Sequence, residues 1–109
     1  MPKRGPVRKG TPTGRLRAGV YSLGARRYED AAQCLTLAAS VHPANGRLHY
    51  NAACALARAG HREAALASLE KAVAAGFRDR ALFEKDPDLD ALRKLEAFRL
   101  LLERLSPAP

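Results

Sequence analysis

The sequence predicts an all-α protein, and three observations carry that prediction. Between Tyr50 and Phe77 eleven of 28 residues are alanine, the strongest helix former. With no Trp and only three Phe and three Tyr, the core must come from Ala and Leu, which suits helices better than sheets. Lastly, Gly24, Pro43, Gly60 and Gly76 divide residues 15–76 into four stretches of helical length, each with apolar residues three and four apart. A chain of 109 residues holds one small domain.

Residues 1–14, MPKRGPVRKGTPTG, contain three Pro and three Gly and no apolar periodicity. They cannot bury enough surface to offset the entropy of ordering, so the expectation is a disordered basic arm. The helical domain is predicted over 15–105, followed by a short tail, 106–109. Its first helix spans about 15–24 and breaks at Gly24; the second, about 28–41, stops before Pro43. The third runs from near Gly46 to Gly60 and the fourth from about 62 to Gly76, both glycines being suited to a left-handed cap. Connections this short fold successive helices into antiparallel hairpins. Beyond Gly76, Asp86 before Pro87 reads as an N-cap with proline at the first helical position. Leu89, Leu92, Leu95, Phe98, Leu101 and Leu102 then form an apolar stripe.

Alanine at this density raises a difficulty, because a methyl group buries little area and holds an isolated helix to nothing. Sliding the sequence by 34 residues shows what it is for. Ala18/Ala52, Ala25/Ala59, Glu29/Glu63, Ala31/Ala65, Leu35/Leu69 and Ala38/Ala72 coincide without a gap, and 31, 35 and 38 share one helical face. With Pro43, Ala53 and Gly60, these positions resemble the tetratricopeptide repeat, a 34-residue helix-turn-helix unit with small residues where its helices cross. The resemblance implies units at about 12–45 and 46–79, stacked as a short right-handed solenoid. Segments similar to 80–105 close such arrays in many bacterial proteins as an irregular C-terminal cap, with Phe77, Leu82 and Phe83 plugging into the preceding unit. Alanine is then a spacing device that lets helix axes approach closely. The first unit departs from the family pattern: Arg15, Ala18 and Ser22 stand at usually large apolar or aromatic positions, and Arg26 replaces the turn glycine.

Net charge is +8, but six cations and no acid lie within residues 1–17, leaving thirteen cations against eleven acids in the rest. No apolar run reaches the ~20 residues of a membrane span. Cys34 and Cys54 have no metal-ligand spacing and read as reduced core thiols, which places the protein in the cytoplasm. His42, His49 and His61 read as surface histidines, and Asp86, Asp88 and Asp90 as capping residues rather than a calcium loop. No nucleophile–base pair, phosphate loop or zinc motif is present. The expectation is a protein that is not an enzyme, with no catalytic residues, no metal and no cofactor.

What remains is a surface. Arg47, Asn51, Cys54 and Arg58 follow at spacings of four, three and four, one stripe of the third helix, and Tyr50 borders it. By the resemblance this helix lines a concave groove that holds an extended peptide or a partner helix, and Asn51 matches the position that fixes a ligand backbone or terminal carboxylate. Arg47 and Arg58 would favour an acidic ligand. The leading expectation is a protein–protein interaction module or adaptor. The alternative is a nucleic-acid- or ribonucleoprotein-associated factor binding phosphates through Lys3, Arg4, Arg8, Lys9, Arg15 and Arg17. A homo-oligomer paired through the Leu-rich residues 95–105 is a third expectation.

Overall fold

The computed structural model describes the backbone of residues 15–105 and the side chains of residues 24 and 26–105. The predicted arm, with Lys3, Arg4, Arg8 and Lys9, and the tail lie outside the described residues, as do the side chains of Arg15 and Arg17. The described chain is helical with no strand: α1 (Arg15–Val41), α2 (Gly46–Arg58), α3 (Arg62–Ala74), α4 (Arg80–Lys85), a 3-10 helix (Pro87–Leu92) and α5 (Glu96–Arg104).

Local chemistry explains most of these bounds. Asn45 caps α2, its side chain accepting from the Leu48 amide at 3.2 Å. Gly60 and Gly76 have positive φ, 92° and 99°, a backbone conformation that stops α2 and α3 and that glycine adopts without strain. Asp79 caps α4. Asp86 caps the segment after it as predicted, with Pro87 at the start, but that segment is a single 3-10 element. The stripe predicted as continuous is therefore split, and α5 begins separately at Glu96.

The break predicted at Gly24 does not occur, and α1 is one helix of 27 residues. A glycine inside a helix costs only about 1 kcal/mol relative to alanine. Arg26 supplies no left-handed turn, no proline follows until Pro43, and Gly24 lacks the positive φ of Gly60 and Gly76. The hairpin expected within residues 12–45 is thus replaced by a single continuous helix.

Three helices stack side by side, with α2 between α1 and α3. Tyr28 and Glu29 of α1 reach Arg58 at the far end of α2 and His61 just beyond it, so α1 and α2 are antiparallel. N-terminal to Tyr28 the α1 helix runs on for thirteen residues, about 20 Å at the helical rise. The α2–α3 pair is a tight hairpin: a Cβ added at Gly46 would lie 2.7 Å from the Phe77 Cβ and 3.1 Å from the Ala72 carbonyl. Ala53, Ala65 and Ala72 are 0% exposed in this contact, which is the close approach the alanine content predicts. Replacing Ala65 with leucine is expected to overpack this crossing and cost about 1–3 kcal/mol. Thermal unfolding would show it as a fall of roughly 4–8 °C per kcal/mol in a domain of this size; an unchanged Tm would refute the close contact.

The C-terminal segment packs over α2 and α3, the 3-10 helix lying mainly against α2. Phe83, Leu89, Leu92, Phe98 and Leu101 are all within 1% of complete burial and join Leu69 and Ala72 in one core. The Leu-rich end expected to pair with a second copy is mostly spent on this core, Leu100 alone among its leucines being exposed. Elsewhere, Leu37 and Val41 of α1 are also exposed.

Candidate functional site

The stripe predicted on α2 meets α1 and the start of the 3-10 helix at a recess of about 280 Å³. Asn51, Cys54 and Arg58 line it from α2, Tyr28 and Ala31 from α1, and Asp86 and Asp88 from the C-terminal segment. Arg47, by contrast, is outside it. It is exposed, with its guanidinium 5.4 Å from the centre of the Phe77 ring.

Two predicted ligand contacts have internal partners instead. Tyr50 is buried, not on a groove rim: its ring lies 5.0 Å from Phe77 and 5.2 Å from Phe83, and its hydroxyl donates to Asp86 Oδ2. Arg58 donates to Asp88 Oδ1 at 3.0 Å and to the Tyr28 hydroxyl at 2.7 Å, with its guanidinium 4.7 Å over the Tyr28 ring. Asp88 already holds the place of an acidic ligand on Arg58. An Arg58→Glu change would therefore disturb the contact between three elements as well as any ligand.

Asp86 joins these elements, a role that sequence reading reduced to capping. One carboxylate oxygen accepts from the Asp88 amide at 2.9 Å, and the other from Tyr50 and, at 3.9 Å, from the Cys54 thiol. Its carbonyl accepts from Arg93 at 2.6 Å. An N-cap uses only one carboxylate oxygen, so the second was the available signal of a long-range partner.

Cys54, Asp86 and Asp88 place one ligand atom each within 4.8 Å of one another. Hydrogen bonds and an ion pair already engage these three groups. Burial pushes the Cys54 thiol up to about 12 from 9.0, keeping it protonated and a poor nucleophile. Asp86 is committed to its donors and Asp88 to Arg58. Burial and the Asp86 hydrogen bond also push Tyr50 up.

A pH dependence follows with a definite sign. Both groups bind their protons more tightly folded than unfolded, so their stabilisation is complete below pH 9 and declines as the unfolded chain ionises above it. For Cys54 the window is about pH 9 to 12, at up to about 1.4 kcal/mol per pH unit. Chemical denaturation between pH 8 and 11 should show the loss, and Cys54→Ala should flatten it; equal slopes in both proteins would contradict the assignment.

The remaining predicted groups are dispersed. Cys34 is exposed rather than in the core, and both cysteines are free. His49 is buried rather than on the surface, with Nε2 donating to the Pro43 carbonyl at 2.9 Å. His61 pairs with Glu29 at 2.6 Å, and His42 is exposed. No helix among the described residues is long and apolar enough to cross a membrane.

From Ala31 at the recess, the same face of α1 continues through Leu35 and Ala38. Ala31, Leu35 and Ala38 are half-buried there, while Ala65, Leu69 and Ala72, their counterparts 34 residues later, are 0% exposed. The reason is in the layering. α3 packs against α2 and also meets the 3-10 helix and α5, whereas α1 packs against α2.

Comparison with known proteins yields one partial likeness. A chloroplastic protein from Arabidopsis thaliana is 38% identical over 55 residues, which is 50% of this chain and 16% of that protein. The chain thus spans less than a fifth of that relative's length. No family model matches the sequence, and no solved structure matches it either.

Proposed function

We propose that this chain is a non-enzymatic protein-interaction module of tetratricopeptide-like build, a short right-handed solenoid that acts in the cytoplasm. It receives a helix or extended peptide on the face shared by α1 and α2. The observation that supports this reading is the unequal burial of register-related positions: Ala65, Leu69 and Ala72 are fully buried, and the same residue types at 31, 35 and 38 are only partly buried. Half-buried Asn51 at the base of the face is placed to hydrogen-bond a ligand backbone. The groove differs from the predicted one in three residues, since Arg47 lies outside it, Tyr50 belongs to the core and Arg58 to the internal pair with Asp88.

The test is affinity purification of the full chain against an Ala31→Glu/Asn51→Ala variant, with Arg58 left intact. Proteins captured by the wild type should be lost by the variant, whose circular dichroism should be unchanged. Identical captured sets would refute the groove. Capture that weakens steeply with salt and disappears on deletion of residues 1–14 would assign binding to the basic arm instead.

A further inference from the structure

We propose that the occupant of the α1 face is the α1 helix of a second copy, whose residues 15–24 lie antiparallel over Ala31, Leu35 and Ala38. This inference rests on the docking reading above and names its partner.

The register singles out the segment. Shifted by 34, residues 12–24 correspond to α2, the helix that covers the matching face of α3. Because α1 is unbroken from Arg15 to Val41, residues 15–24 run collinear with the face they match and cannot fold back onto it. A second chain can supply them, and a two-fold axis gives both chains the same cover, which is exchange of an identical element.

The sequence of α1 fits such a pairing. Tyr21, Gly24, Tyr28, Ala31, Leu35 and Ala38 follow at spacings of three, four, three, four and three, a seam of seven-residue period. An antiparallel pair centred near residue 28 sets Gly24 against Ala31, where the absence of bulk permits close axes. It also brings Arg27 of each copy within a turn of Asp30 of the other. Both side chains are exposed in the single chain, so the flanking charges are complementary. A parallel pair would set Arg27 against Arg27 and Asp30 against Asp30.

Sedimentation velocity of the full chain across a dilution series should show a monomer–dimer equilibrium. Ala31→Glu/Ala38→Glu should weaken it on the order of tenfold or more with helicity retained. Register is tested in a Cys34→Ser background by mixing Gly24→Cys and Ala31→Cys chains under mild oxidation. The mixed disulfide should form in preference to either symmetrical one; residues 24 and 31 are about 10 Å apart along one helix, so the bond reports contact between chains. A chain that stays monomeric, or a dominant Ala31→Cys homodisulfide, would overturn the pairing. If captured proteins still depend on Ala31 in a monomeric chain, the docking reading outlives this inference; if they do not, both fall.

Discussion

Replacing Phe83 with alanine is expected to cost about 3–5 kcal/mol, among the largest losses any single side chain here can produce. Phe83 is 0% exposed, with its ring centre 5.2 Å from Tyr50 and 6.1 Å from Phe77. It is the one buried side chain of α4, a helix of six residues that is too short to be stable alone. Its removal leaves a cavity and also takes away what holds α4 against the hairpin. Urea denaturation should show the midpoint falling sharply; a cost below about 1 kcal/mol would mean that the C-terminal segment is not the cap described.

Asp86→Ala should follow at about 2–4 kcal/mol, combining a lost cap of about 1 kcal/mol with an orphaned buried hydroxyl on Tyr50 of about 1–3 kcal/mol. Tyr50→Phe separates the two contributions. Alone it removes the donor and leaves Asp86 its other partners; placed on Asp86→Ala it removes the orphan, so the double variant should be less destabilised than the single effects sum to. Strict additivity would show that the Tyr50–Asp86 bond adds nothing to stability.

How much of this was legible in the sequence depends on the range of the interaction concerned. The α2–α3 hairpin was readable because its stops are local: Gly60 and Gly76 take backbone conformations that other residues resist. Its close packing was readable because Ala53, Ala65 and Ala72 have few other uses at those positions. Gly24 misled because glycine permits a turn without requiring one, and only neighbours such as Arg26 decide. Tyr50 was placed on the groove because helical spacing shows which residues share a stripe. It does not show that Phe77, Phe83 and Asp86 would fold over one edge of that stripe. Arg58 read as a free charge for the same reason, its partner Asp88 being thirty residues away. His49 and Cys34 exchanged their expected environments because neither burial nor exposure is encoded by residue type alone.

Thiol labelling measures the cover over the α1 face most directly. In a Cys34→Ser background, Ala31→Cys and Ala65→Cys chains would be exposed to a maleimide reagent under native conditions. The position at 65 should resist labelling, while the one at 31 should react readily in dilute solution and become protected as chain concentration rises. Equal rates at the two positions, or a rate at 31 that ignores concentration, would contradict the account.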